Sequence, residues 1–378
     1  MIGPLRRLAA FSLAAALVAS TITIVFAPSP AAALPLYASR EGATCVTCHV
    51  DPNGGGIRND FGFAYLKNRH GLDAEEKWAK VTVEPRLNEW IAIGIDTRVL
   101  YVASHVNGGS TLATSTFFPM QGQLNVAVTP HEHLTVVASH GLNVDNPGFP
   151  TGYVARELYG MIEGLPGRIY ARVGRFRVPF GLRQDDHTSF VRSAEFLSYD
   201  AQKDDAGIEV GSIGTRWFGQ VSFTDGSAPF LERAQTVAGK LGRASKAFQA
   251  GLSGFHRYAE TLATKHDRWA LYGAATHGPV TVLGEYGGGT SETTFGTINL
   301  QAFFAEADFR AMRGLNLRGK FDYLEPDRAL GNDIVRRYAI EADLNPVPFT
   351  ELKLSGRYYD YEGSDIEKEY LAMFYFPF

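Results

Sequence analysis

The chain has 378 residues, 45% of them hydrophobic and 20% charged, with a formal net charge of −4. Removing Arg6 and Arg7 of the N-terminal segment takes −4 to −6, a modest acidity that argues against a nucleic-acid partner. With 40 glycines, 25 phenylalanines and 17 tyrosines, and with its apolar residues dispersed, the composition points to β-structure, and no Ser-His-Asp, P-loop or zinc-hydrolase pattern stands out.

Arg6 and Arg7 precede an apolar run from Leu8 to about Val25, and small residues follow at Ala31-Ala32-Ala33. A basic start, an apolar centre and a small-residue ending read as a secretory signal peptide over 1–33, cleaved near Ala33. Pro28 and Pro30 and the Ala-x-Ala ending disfavour a retained anchor. No later stretch reaches the ~18 consecutive apolar residues of a transmembrane helix.

The two cysteines of the chain stand together in Cys45-Val46-Thr47-Cys48-His49. C-x-x-C-H is the attachment signature of c-type haem: the thiols form thioethers and the adjacent histidine becomes an axial ligand. A structural disulfide leaves His49 without a role. A thioredoxin-like motif needs a βαβ pattern, and a structural zinc site needs about four ligands; neither follows here. One covalent haem c is therefore expected, held by Cys45, Cys48 and His49.

Residues 34–85 form the expected monohaem cytochrome c segment. It is close to the ~40-residue limit below which a domain needs a staple, and a haem supplies an apolar nucleus for Phe61, Phe63, Tyr65, Leu66, Leu72 and Trp78. Asp51-Pro52-Asn53-Gly54-Gly55-Gly56 is either a turn that lets backbone approach the porphyrin edge or an ordinary linker turn. His70 is the other histidine of the segment and the nominated sixth ligand, although a solvated surface histidine beside Asn68-Arg69 is the competing reading. Met120, His131 and His133 are alternatives if a wall reaches the iron. An open sixth position would shift the chemistry toward ligand binding or peroxide turnover.

From about Trp90 the chain alternates with period two in segments of about ten residues, the pattern of an outer-membrane β-barrel over 86–378. Ile91, Ile93, Ile95 and Val99 oppose Gly94, Asp96 and Arg98. Met120, Gly122, Leu124, Val126 and Val128 oppose Gln121, Gln123, Asn125 and Thr129. Leu315, Leu317, Gly319, Phe321 and Tyr323 oppose Asn316, Arg318, Lys320 and Asp322. Short turns are expected at 129–131, 164–167, 211–214, 242–245, 277–279, 313–314 and 345–348. Longer polar loops are expected at 105–115, 143–152, 178–204, 226–234, 258–266, 289–297, 326–334 and 362–368. That alternation gives an all-β barrel of about sixteen strands with both termini periplasmic. The cytochrome segment then lies in the lumen as a plug.

Two resemblances add to this reading. Phe374, Phe376 and the terminal Phe378 alternate in the last strand, which resembles the recognition signal of the bacterial outer-membrane assembly machinery. Gly174-Arg175-Phe176-Arg177-Val178-Pro179-Phe180-Gly181-Leu182 resembles the strand-to-loop segment of phosphate-selective porins O and P, which implies that the loop 178–204 folds inward. The whole arrangement resembles the fused outer-membrane monohaem cytochrome–porins of iron-oxidising bacteria, although Gly54-Gly55-Gly56 departs from the Pro-x-Leu-Asn type of sequence found there.

That resemblance implies electron transfer across the outer membrane, from an extracellular donor such as Fe(II) to a periplasmic c-type cytochrome. Asp185, Asp186, Asp204 and Asp205 either attract the cation or are solvated loop charges. The runner-up is an anion-selective porin with a haem-bearing plug. It draws on Arg168 and Arg172, placed on the lumen face, and on Arg183 and Arg192 in the inward loop. Parity puts Arg175 and Arg177 on the opposite face, so the strand should leave the hydrocarbon or bulge there.

Overall fold

In a computed structural model of the protein, the described residues are 36–72, 84–107, 112–143, 152–184, 186, 188–194, 204–214, 216–225, 234–245, 247–259, 264–362 and 366–378. The signal segment 1–33, Trp78 and Asp185 lie outside them.

Sixteen strands close into one antiparallel barrel, each pairing with its neighbours in the chain and β1 pairing with β16. The first eight are β1 (Ile91–Asn107), β2 (Leu112–His131), β3 (Leu134–Asn143), β4 (Gly152–Leu165), β5 (Ile169–Phe176), β6 (Asp205–Ile213), β7 (Trp217–Thr224) and β8 (Ala234–Ala244). The others are β9 (Phe248–Ala259), β10 (Thr264–His277), β11 (Val280–Thr293), β12 (Gly296–Met312), β13 (Leu315–Glu325), β14 (Val335–Leu344), β15 (Glu351–Tyr361) and β16 (Ile366–Pro377). β1 begins and β16 ends at the end of the barrel that carries the short turns.

The alternation sorts the two faces. In β13 the inward Asn316, Lys320 and Asp322 are buried while Leu317 is exposed. In β1, Asp96 and Arg98 are buried and Ile95 is exposed. A band of Leu, Val, Ile and aromatic side chains covers the outside, where Ile340 is 78% exposed. A soluble protein does not display such a surface, whereas a barrel in lipid requires it. Outward rings form a belt from Phe303 through Phe321 and Tyr338 to Tyr358, with centroid separations of 6.1, 5.2 and 6.2 Å. Spanning barrels carry girdles of outward aromatic residues beside their apolar band.

The structure corrects several local expectations. Gly211 and Gly242 lie within strands, and the chain reverses beyond Ile213 and Ala244. Each glycine faces a ring in register, Tyr170 opposite Gly211 and Phe218 opposite Gly242. A Cβ on Gly242 would come within 2.3 Å of the Phe218 ring, so these glycines are seats for aromatic rings on the lumen wall. Residues 289–297 are mostly strand rather than polar loop: β11 and β12 run on to a turn whose Phe295 is fully exposed.

Met120 departs from its expected outward face. The register shifts between Arg98↔Gln121 and Val99↔Pro119, a β-bulge that turns Met120 inward beside Gln121. Phe378 also leaves the alternation: Phe374 and Phe376 face outward, but the Phe378 ring meets Phe63 and Phe349 at 5.6 and 5.8 Å.

Residues 36–72 lie inside the barrel as short helices, α1 (Leu36–Glu41), α2 (Cys45–Cys48) and α3 (Asp60–Tyr65), the last continuing into a π turn over Leu66–His70. Their contacts are spread around the wall. Arg40 donates to Asn316 on β13, and Arg58 reaches Asp96 and Tyr375 at the β1–β16 seam. Asp51 meets Arg172 on β5 at 2.9 Å, and Leu72 N–H donates to the Asn345 carbonyl beyond β14. The segment therefore crosses the lumen. A second inward segment follows β5, with the short helix α4 (Phe190–Ala194) packed against β11–β13. Leu182 N–H donates to Glu285 at 2.6 Å and Gly181 N–H to Ser253 at 2.9 Å.

Placing arginine at Ile340, near the middle of β14 on the outer face, is expected to cost about 2–4 kcal/mol if that face is in hydrocarbon. Denaturant titration of folding into vesicles measures this, and a cost near zero would mean the face is not in lipid.

Candidate functional site

Cys45 and Cys48 occupy one helical turn at an i, i+3 spacing; Cys48 lines a cavity with His49 and His70, while Cys45 lines a separate, water-sized one with Lys240 and Tyr272. The turn is closed by His49 N–H donating to the Cys45 carbonyl at 2.9 Å, and Thr44 N–H donates to the Thr47 hydroxyl at 3.2 Å. Both cysteines stand as thiols. Burial pushes the Cys48 thiol up to about 11; it also raises Cys45, with Lys240 the first of the charges opposing it.

His49 then leaves the helix in extended conformation and forms a bridge with Arg58. Between them, Gly54, Gly55 and Gly56 all have positive φ, at 82°, 77° and 58°. A side chain on Gly55 would strike the Arg183 guanidinium and one on Gly56 the Glu157 carboxylate. This is a tightly packed turn rather than a linker. Gly62 does a related job, since a Cβ there would lie 2.1 Å from the Cys48 carbonyl; its absence lets α3 sit directly on α2.

Cys48, His49 and His70 line one cavity of about 660 Å³, within the ~300–1,000 Å³ range of cofactor sites. His70 is 6% exposed and edge-on to the Tyr37 ring at 4.7 Å, so it is no surface histidine. Burial, then the positive charge of Arg58 and Arg183, lowers the His49 imidazole to about 3. Burial, then Arg58 and Arg40, does the same to His70. Both rings are therefore neutral, the form in which imidazole binds metal. His49 Nδ1 is buried with no hydrogen-bond partner among the described residues. Two thiols one helical turn apart, two neutral imidazoles on one cavity and an unspent ring nitrogen fit a covalently held haem c.

Other candidates separate. His131 and His133 lie with ring centroids 5.5 Å apart, tilted by 45°, on the exposed β2–β3 turn, and neither lines the cavity. Met120 lines the cavity, and so does Met373, which the sequence reading passed over. Parity could have found it, because outward Phe374 and Phe376 put Met373 and Tyr375 inward. Of the expected apolar nucleus, Tyr65 and Leu66 line the cavity, Phe61 and Leu72 are exposed, and Phe63 packs against Phe349 at 4.9 Å.

Of the four carboxylates, Asp185 lies outside the described residues, and the other three are each paired with arginine or lysine rather than solvated. Asp204 pairs with Arg177 at 2.8 Å, and Asp205 with Arg257 at 3.4 Å and Thr224 at 2.8 Å. Asp186 contacts Lys320, Arg337 and Arg357 on three adjacent strands. The arginines are compensated in the same way: Arg172 by Asp51 and Glu209, Arg183 by Asp51, Arg192 by Glu285. Arg168 sits in the exposed β4–β5 turn rather than on the lumen face. Arg177 follows the end of β5 and lines the cavity, whereas Arg175 stays within β5 opposite the exposed Leu158, on the face that parity gives it.

No protein-family model matches the chain, and no curated protein matches it. Solved structures do. The anion-selective porin of Comamonas acidovorans aligns with 76% of this chain and 100% of its own, at 12% identity and a TM-score of 0.57. The fold is that of an outer-membrane porin. OprB of Pseudomonas putida aligns over 82% of this chain and 99% of its own, at 9% identity and a TM-score of 0.58. The outer membrane channel DcaP of Acinetobacter baumannii covers 78% and 100%, at 10% identity and a TM-score of 0.56. At these identities the likeness is one of porin fold.

Asp186 ties the inward loop of this porin fold to its wall. Burial disfavours its charged form, but Lys320, Arg337 and Arg357 outweigh that and hold the carboxyl well below the usual range. Its contribution is thus complete above roughly pH 4 and lost as pH falls through the depressed value. Asp186→Asn removes the carboxylate that joins the loop to these three cations, each of which keeps a wall carboxylate (Glu306, Asp322 and Glu369), and is expected to cost about 1–3 kcal/mol. The readout is protease sensitivity of segment 177–194 at neutral pH, which rises in the variant; unchanged resistance would exclude this latch.

Proposed function

We propose that the protein is an outer-membrane electron conduit carrying one covalent haem c inside a porin-like barrel. The observation that supports this most directly is the convergence of Cys45, Cys48, His49 and His70 in the interior of the barrel. The last three share a single cavity. When bound, haem c supplies a one-electron Fe(III)/Fe(II) couple.

The chain's own residues then have defined tasks. Cys45 and Cys48 would tether the haem, and His49, held by its bridge to Arg58, would be one iron ligand. His70, kept neutral and fixed edge-on against Tyr37, would be the other. Two histidines would favour a lower potential than a His-Met pair, suiting a donor available near neutral pH. Leu36, Tyr37, Tyr65 and Leu66 form the apolar side of the cavity and limit water there. Arg58, Asp51 and Leu72 fasten the segment to the wall.

This reading implies an extracellular donor such as Fe(II) at the long-loop end and a periplasmic c-type cytochrome at the short-turn end, with both termini periplasmic. Outer-membrane lipid faces the apolar band. The porin likeness also supports the runner-up, an anion-selective pore with a haem-bearing plug. The compensated arginines and the segment across the lumen favour the conduit. Single-channel recording separates the two: the conduit predicts a closed channel, the pore a freely conducting one.

The decisive test is haem staining of the mature protein on a denaturing gel after extraction of non-covalent pigment. Stain is expected in the native chain and lost or weakened in Cys48→Ala. An unstained native chain ends this proposal. In stained protein, Fe(II) is expected to reduce the haem. His70→Ala is expected to change the low-spin visible spectrum; an unchanged spectrum moves the sixth ligand to Met120 or Met373.

A further inference from the structure

The lumen wall is rich in cations, and nearly every one faces a carboxylate. Arg172, Arg257, Arg318, Lys320, Arg337 and Arg357 are each in an ion pair. Lys240, on the inward face of β8, is different: it forms no hydrogen bond or ion pair among the described residues. Its position explains why. The residues opposite it in register are Gln220 on β7 and Ser253 on β9, both neutral. Both are also engaged, Gln220 donating to the Tyr170 hydroxyl at 2.6 Å and Ser253 accepting from Gly181 N–H at 2.9 Å. The nearby carboxylates Asp51 and Glu209 belong to Arg172, at 2.9 Å each.

Lys240 and Cys45 line the same water-sized cavity of about 30 Å³, together with Tyr272 and Arg183. Lys240 therefore lines the same small cavity as one of the two tethering sulfurs and interacts with it electrostatically, in surroundings where charges are weakly screened. A fixed positive charge next to a redox centre stabilises the form with one more electron and raises the potential.

We propose that Lys240 sets the potential of the attached haem by placing an uncompensated positive charge beside the Cys45 tether. The inference rests on the haem-conduit reading above and adds a residue outside the attachment motif. Lys240 is a positioning residue for charge, with no contact to the iron required. The neutral neighbours Gln220 and Ser253 are then part of the device, because an acid at either place would cancel the charge.

The test uses the full chain in detergent, with covalent haem verified by staining, and a spectroelectrochemical titration with soluble mediators. Lys240→Gln is expected to lower the ratio of reduced to oxidised haem at a fixed poise by roughly tenfold, equivalent to about 59 mV for one electron. Lys240→Arg should hold the native potential. Gln220→Glu keeps the lysine but supplies a counter-charge, and should lower the potential as well; it carries the test if Lys240→Gln does not fold. The visible spectrum should be the same in all three, since ligation is untouched. A haem whose potential is unmoved in Lys240→Gln and Gln220→Glu, or that falls equally in Lys240→Arg, overturns this inference alone. A native chain without covalent haem overturns both readings.

Discussion

Closure of β1 on β16 is the constraint from which the rest follows. In a bilayer core no water is present to satisfy backbone N–H and C=O groups, so a sheet can cross only if it has no edge. The pairing from Asp96↔Pro377 to Asn107↔Ile366 removes that edge. Closure also assigns the faces: apolar side chains go to lipid, and every alternate residue is forced into the lumen. The interior is thereby lined with Arg, Lys, Asp and Glu before anything is placed in it. A segment that is to fill such a lumen must present complementary charge, and residues 36–72 do. Asp51 answers Arg172, and Arg58 answers Asp96.

These pairs matter more for where the segment sits than for how tightly it is held. Desolvating two charges offsets much of their attraction, so a buried pair adds little net stability, while breaking one leaves an uncompensated charge at a cost of several kcal/mol. The arrangement penalises any other docking. Arg318 alone meets Asp308 and Asp343 at 2.6 Å, with Glu306 and Glu341 both at 3.5 Å. Asp186 uses the same wall to hold the inward loop over the cavity that His49 and His70 line. Loop and N-terminal segment thus share one electrostatic frame. The steric fit is as demanding, since Gly54, Gly55, Gly56 and Gly62 stand where a methyl group would meet Cys45, Arg183, Glu157 or Cys48.

The barrel was legible because its signal is repeated in every strand. Period-two alternation and punctuating turns carried the strand count, and β13 reads off the sequence residue by residue. Where the reading failed, one residue had two physical meanings. Gly211 and Gly242 were taken for turns because glycine permits them, yet in the barrel they make room for Tyr170 and Phe218. Met120 lost its face to a bulge, which period-two counting cannot register. The four candidate residues were legible from a motif and from the scarcity of histidine, but the partners of Asp186, Asp51 and Arg58 were not. Those contacts join residues from 38 positions apart, for Arg58 and Asp96, to 317, for Arg58 and Tyr375, and no local pattern encodes them.

If the protein is the conduit proposed above, the placement of the segment bears on how far an electron must travel. A membrane is ~40–45 Å thick including its headgroup regions, more than a single redox centre spans. Asn68 and Leu72 meet the β12–β13 and β14–β15 turns, and Phe63 meets Phe378 at the end of the last strand. The segment is therefore anchored in the short-turn half of the lumen. On the conduit proposal, a soluble acceptor at that end would have the shorter approach, and the donor would come from the long-loop end. Arg177, Arg183 and Asp186 of the inward loop line the cavity together with charged side chains of the β12–β15 wall. Access of a donor to the cavity would then be set by the loop and that wall rather than by the Cys45–His49 motif, and a small hydrated cation and a bulky chelate would differ most in whether they reach it.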